Sequence, residues 1–122
     1  MQGIGNDIIE IERIESSIKE YKEKFLNRIF TKKELEYCSK YKDAIPHFAA
    51  RFAAKEAIAK ALGVGIGKTL AWHDMEILNN QEGKPEVFFS EKAKATFSNP
   101  QVLLSMSHCK AYATAVALYQ KG

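Results

Sequence analysis

RFAAKEAIAK, residues 51–60, is an alanine-rich stretch that reads as a buried helix, yet it sets Lys55 beside Glu56 and adds Lys60 one turn on. Ala49, Ala53, Glu56 and Lys60 lie four, three and four residues apart, so they share one helix face. Small residues on that face let another element approach closely, and the charges then point into the space that is left. Two readings follow. One is a surface i,i+4 Glu–Lys pair, contributing about 0.3–0.5 kcal/mol; the other is a charged site at the end of a packed helix. Pro46 suits the first turn of this helix, which should continue to Leu62 and stop at Gly63 as a C-terminal cap.

Upstream, Thr31 and Glu34 form a capping box, so a helix is expected from Lys32 to about Lys40. The spacing of Ile14, Ile18 and Tyr21 predicts a helix from about Ile11, and the isoleucine-rich run around Asp7 predicts a strand. Downstream, Leu70–Leu78 reads as a strand, Gly83-Lys84-Pro85 as a turn and Glu86–Phe89 as a strand. Ser90 caps a short helix to about Phe97, and Ser98-Asn99-Pro100 breaks it. Val102–Ser107 and Tyr112–Tyr119 read as a closing hairpin turning near His108–Ala111. The class is α+β, with helices of the first half packing on an antiparallel sheet formed mainly by the second, in one domain over residues 1–122.

Hydrophobic residues make up 46% and charged ones 27%, the balance of a globular chain rather than a disordered one. No run approaches the roughly 18 apolar residues of a membrane span, and MQGIGNDIIE lacks the pattern of a secretory signal. Cys38 and Cys109 are far apart without a CxxC, which with no export signal points to reduced thiols and a cytoplasmic location. The net charge is +3, and basic residues outnumber acidic ones from Arg13 through Lys33. That segment is either a solvated helix face or a docking surface for an acidic partner.

LGVGIGKT, residues 62–69, is a near-miss. A phosphate-cradling P-loop needs glycine where Leu62 stands and a preceding strand, and a dinucleotide fingerprint needs glycine at Lys68. What is left is a glycine loop that admits close backbone approach, or a helix stop followed by a turn. His47, His73 and His108 have no paired zinc spacing. Asp7, by contrast, is a carboxylate in an isoleucine-rich strand, where a charge is costly without a partner. One carboxylate from a strand, one from a buried helix and a lysine alongside suit a Mg²⁺–phosphate site. Magnesium binds through one or two carboxylates, keeps waters and takes substrate phosphate oxygens.

The blocks GIGNDIIEIERI, RFAAKEAIAKALGVGIG, EGKP and SMSHCKAYATAVAL, in that order, closely resemble the small stand-alone branch of the 4′-phosphopantetheinyl transferases, the holo-[acyl-carrier-protein] synthases. The resemblance runs from about Gly3 to Leu118. It implies transfer of the 4′-phosphopantetheine arm of coenzyme A to a serine of apo acyl carrier protein, releasing adenosine 3′,5′-bisphosphate in support of fatty acid biosynthesis. It further implies that Asp7 and Glu56 bind Mg²⁺ and that Lys60 holds the diphosphate, leaving the proton acceptor open between Glu56 and a metal-bound water. Coenzyme contacts are implied for Arg51, Gly63, Gly65, Gly83, Lys84, Pro85, Ser107 and His108, with Arg51 and His108 at the 3′-phosphate. Carrier-protein docking is implied for Arg13, Lys24, Phe25 and Arg28. A homotrimer with active sites between subunits is also implied, with neither nucleic acid nor membrane as a partner. Asn6 and Cys109 depart from the family pattern without removing a catalytic group. A small basic nucleic-acid-binding module and an inactive carrier-binding subunit are the rival readings.

Overall fold

The computed structural model describes residues 2–122. Strand β1 (Gly3–Glu10) leads into helix α1 (Ile11–Tyr21), followed by α2 (Glu23–Ile29), α3 (Lys32–Ser39) and the long α4 (Ile45–Leu62). A 3₁₀ turn over Trp72–Asp74 then precedes β2 (Met75–Asn79), β3 (Pro85–Phe89), α5 (Glu91–Thr96), β4 (Gln101–His108) and β5 (Tyr112–Gln120). The capping box forms as read: the Glu34 amide donates to Thr31 Oγ1, and Glu34 Oε1 accepts from the Thr31 amide at 2.8 Å. Ser90 likewise caps α5 through the Ala93 amide, and Gly63 ends α4 at φ +80°.

The strands form two antiparallel sheets where one was expected. The larger has the order β1-β5-β4, which puts the N-terminal strand at an edge and the last strand in the middle; β2 and β3 form a separate hairpin. One local expectation also changes. Leu70–Leu78 is strand only from Met75, because Asp74 accepts the Ala71 amide at 2.8 Å and the Ser90 hydroxyl at 2.7 Å and curls the chain first. The helix from Ile11 stops at Tyr21, since Lys22 adopts φ 52° and ψ −128° and redirects the chain into α2. Such a conformation is sparsely populated by non-glycine residues and costs about 1–3 kcal/mol.

Helix α4 is buried on both sides, which accounts for its alanine content. One side lies on the large sheet, where Gly3 and Gly5 of β1 leave room for it. A Cβ on Gly5 would run into the Ala57 carbonyl and stand 2.7 Å from the Ala61 amide nitrogen. The opposite side meets the other helices and the β2–β3 hairpin. Ile14, Phe30, Ile58, Leu70, Met75 and Ile77 fill the core, each worth about 1.5–3 kcal/mol of transfer free energy. On the far face of the sheet, Ile4, Ile8, Leu103 and Val116 are exposed.

Candidate active site

Alternation along β1 turns Gly3, Gly5, Asp7 and Ile9 toward α4 and sends Ile4, Asn6, Ile8 and Glu10 to the other face. Asp7 sits two residues beyond Gly5, at the point where α4 turns Glu56 to the same side. Both carboxylates line one cavity of about 620 Å³. Burial raises the pKa of the half-buried Glu56, the Asp7 charge raises it further, and Lys60 offsets part of this. Two acids lining one cavity, the charge of one raising the pKa of the other, constitute a like-charge strain that a cation relieves.

The i,i+4 surface pair read for Glu56 and Lys60 is absent from the ion pairs of the described residues. Lys60 reaches across to the strand instead, donating to Asp7 Oδ1 at 3.2 Å and to the Asn6 carbonyl at 3.0 Å. Its side chain is 53% exposed, against 17% for Asp7; Lys60 lies outside the cavity lining and joins the site through Asp7, with its ammonium accessible to solvent. No group of three or more His, Cys, Asp or Glu side chains able to hold a metal occurs among the described residues. The donor set is therefore two carboxylates. It fits Mg²⁺, which accepts few protein ligands when phosphate and water complete its shell; it does not fit a zinc cage.

The basic segment is not a separate surface. Arg13 and Ser17 of α1 and Phe25 and Arg28 of α2 line the same cavity as Asp7 and Glu56, together with Phe52, Trp72 and Tyr112. The break at Lys22 makes this possible, since it brings both helices around one opening. Lys24 is exposed on α2 and lies outside that lining.

The other expected residues lie outside this cavity and do not gather at one place. Arg51 is 2% exposed. Its guanidinium donates to the Ile77 carbonyl at 3.1 Å and Asn79 Oδ1 at 2.6 Å, and stacks 4.4 Å from the centroid of the Tyr37 ring. Asn79 in turn donates to the Gly83 carbonyl at 2.9 Å, so Arg51 fixes the Gly83-Lys84-Pro85 turn from beneath. Lys84 and Pro85 share a groove with Pro100–Leu104 at the start of β4. The exposed His108 ends β4 with its ring 5.7 Å from that of His47, which stacks on Tyr41 at 3.6 Å. Burial, then the neighbouring His108 and Arg51, lower the pKa of His47. The Gly63–Gly67 loop leaves α4 three residues after Lys60, and a Cβ at Gly63, Gly65 or Gly67 would meet nothing within 4 Å. Ser107 does not join the acids: it pairs with Thr114, which pairs with Ile8, so it lies on the face of the sheet turned away from Asp7.

Sequence reasoning missed the hub under the cavity. Lys55 and Glu34 form a fully buried ion pair at 2.7 Å, and burial pulls the Lys55 pKa down while Glu34 pulls it back. A lysine inside an alanine-rich helix was the available signal. Cys38 is buried, its thiol pushed up to about 11, whereas Cys109 is exposed; both are free thiols.

The sequence profile of the 4′-phosphopantetheinyl transferase superfamily matches residues 3–117. The holo-[acyl-carrier-protein] synthase of Protochlamydia amoebophila is 54% identical over 117 residues, which is 96% of each chain. Among solved structures, the synthase of Neisseria meningitidis superposes with a TM-score of 0.92 at 33% identity, covering 99% of both chains. The Helicobacter pylori synthase, solved in complex with coenzyme A, gives a TM-score of 0.85 at 37% identity, covering 96% of this chain and 99% of that one.

Proposed function

The chain belongs to the 4′-phosphopantetheinyl transferase superfamily, in its holo-[acyl-carrier-protein] synthase branch, and from that premise we propose that it moves the 4′-phosphopantetheine of coenzyme A onto a serine of apo acyl carrier protein in a Mg²⁺-dependent reaction. The observation that carries this reading is the single cavity in which two carboxylates from separate elements face the basic residues of α1 and α2.

Asp7 and Glu56 would hold Mg²⁺ between them, and the ion would supply charge neutralisation and orientation for the coenzyme diphosphate. Lys60, held on the Asn6 carbonyl and Asp7, would offer its ammonium to the diphosphate and stabilise charge on the departing phosphate. Arg13, Phe25 and Arg28, with Lys24 beside them, receive the acidic carrier protein. The carrier's serine hydroxyl is thereby brought in line with the β-phosphorus. The new bond is serine oxygen to phosphorus; the bond that breaks joins that phosphorus to the bridging oxygen, which leaves with adenosine 3′,5′-bisphosphate. The serine proton passes to Glu56 or to water held at the same site, since Glu56 lines the cavity that receives the hydroxyl. Most of the acceleration then comes from positioning and fixed charge.

The Gly63–Gly65 backbone, Gly83, Lys84, Pro85, Ser107 and His108 make up the coenzyme side, and Arg51 serves it by holding the Gly83 turn. Ser107 is on the sheet face opposite Asp7, so it serves a site of this kind only across an interface. The exposed Ile4, Ile8, Leu103 and Val116 on that face support a homotrimer whose sites lie between subunits. We place this single-domain protein in the cytoplasm, in fatty acid biosynthesis, without nucleic acid or membrane as partner. Among the described residues no helix is long and apolar enough to cross a membrane. The test is the intact mass of apo carrier protein after incubation with enzyme, coenzyme A and Mg²⁺. A gain of one phosphopantetheine, abolished by a chelator, is expected; an unchanged mass refutes the assignment.

A further inference from the structure

Lys55 stands next to Glu56 in sequence but points away from the cavity, and its side chain is 0% exposed. Its ammonium donates to Glu34 Oε1 at 2.7 Å, to the Ile29 carbonyl at 2.8 Å and to the Trp72 carbonyl at 3.1 Å, which uses all three of its donors. Glu34 is equally committed, accepting the Thr31 amide at 2.8 Å and the Ile77 amide at 2.7 Å. The pair thus joins the last residue of α2, the cap of α3, the Trp72 turn and β2 to α4.

Stability alone does not call for this arrangement, because apolar replacements of buried ion pairs are often as stable or more so. What an apolar side chain cannot do is hold two backbone carbonyls at fixed positions. The two held here belong to Ile29 and Trp72, and both residues line the cavity. Phe25 and Arg28 precede Ile29 on the same short helix.

We propose that Lys55 is a positioning residue that hangs the carrier-facing wall, α2 and the Trp72 turn, on the helix that carries Glu56 and Lys60. Adjacent residues of α4 would then set the two halves of the reaction: Glu56 the diphosphate side, Lys55 the side that delivers the hydroxyl. The inference rests on the transferase reading above.

The test uses Lys55→Met and, because a lone buried carboxylate can prevent folding, the double variant Lys55→Met/Glu34→Gln. Trp72 is the single tryptophan of the chain, so its emission and its quenching by acrylamide report the wall directly. Both variants are assayed well below their melting temperatures. The expected result is greater quenching of Trp72 and a KM for apo carrier protein raised about tenfold or more, with the KM for coenzyme A within about twofold. Unchanged Trp72 quenching, two KM values that rise together, or loss of folding in both variants would overturn the proposal and leave the pair a device for stability. Failure of the wild type to modify carrier protein would sink the transferase reading instead, while the Trp72 measurement would still score the role of Lys55 in the wall.

Discussion

Replacing Gly5 by alanine should damage the site through the backbone, without touching a functional side chain. The added methyl would collide with the Ala57 carbonyl, 2.7 Å from the Ala61 amide nitrogen and 3.0 Å from the Ala57 carbonyl carbon. All three are helix backbone atoms, so no side chain can rotate away and α4 must lift off β1. Restoring ordinary contacts of about 3.5 Å requires a shift on the order of 1 Å. Overpacking costs about 1–3 kcal/mol, and the upper end applies here because backbone must move. A domain of this size is stable by about 5–15 kcal/mol, so the variant should still fold. Glu56 adjoins Ala57, and Asp7 lies two residues from Gly5. The same shift therefore pulls the two acids apart, and a misplacement of about 1 Å can lower the rate about 10²-fold. Urea unfolding gives the stability, and kcat/KM per folded molecule gives the geometry. Gly65→Ala is the stability control: its Cβ meets nothing within 4 Å, and a change of under about 0.5 kcal/mol is expected. A Gly5→Ala protein with wild-type stability would refute the packing argument. One that is destabilised yet fully active would refute the link from packing to site.

Charge reversal at Arg13 and Arg28 should raise the KM for carrier protein far more than that for coenzyme A, as steady-state kinetics with each substrate varied would show. Glu56→Gln should make the metal-free protein more stable at neutral pH. The folded state raises the pKa of this carboxyl, so the folded protein is at a disadvantage wherever Glu56 must ionise. That disadvantage fades as pH falls through the folded pKa and below the ordinary glutamate range. Thermal melts of both proteins from neutral to acid pH should therefore converge at low pH. Ile8→Glu or Leu103→Glu should leave a folded monomer by sedimentation, with activity lost; a trimer that persists would exclude the exposed sheet face as the subunit interface.

The helices were legible wherever local chemistry marks their ends. Thr31 with Glu34, Ser90, Pro46 and Gly63 all act at the positions their side chains or backbone freedom imply. The strand carrying Asp7 was legible too, from its isoleucines. The break at Lys22 was not, because a lysine gives no sign of the positive φ it adopts. The split into two sheets was equally hidden, since register depends on which strands meet in space and β1 pairs with the last strand. At the site, the paired carboxylates were inferable from the cost of burying Asp7, but the partner of Lys60 was not. Helical spacing pointed to Glu56, whereas the strand brought Asp7 and the Asn6 carbonyl within reach. The burial of Arg51 and the double duty of Glu34 come from contacts 21–28 residues apart along the chain, beyond any periodicity.

Coenzyme A binding, followed by calorimetry with Mg²⁺ present and again with a chelator, is the most direct test of whether Asp7 and Glu56 act as one metal-holding pair. The wild type should bind at least about tenfold more tightly with the metal, a difference of about 1.4 kcal/mol, and Asp7→Asn or Glu56→Gln should each erase that difference. Equal affinity with and without Mg²⁺ in the wild type, or a metal effect that survives both substitutions, would contradict the account.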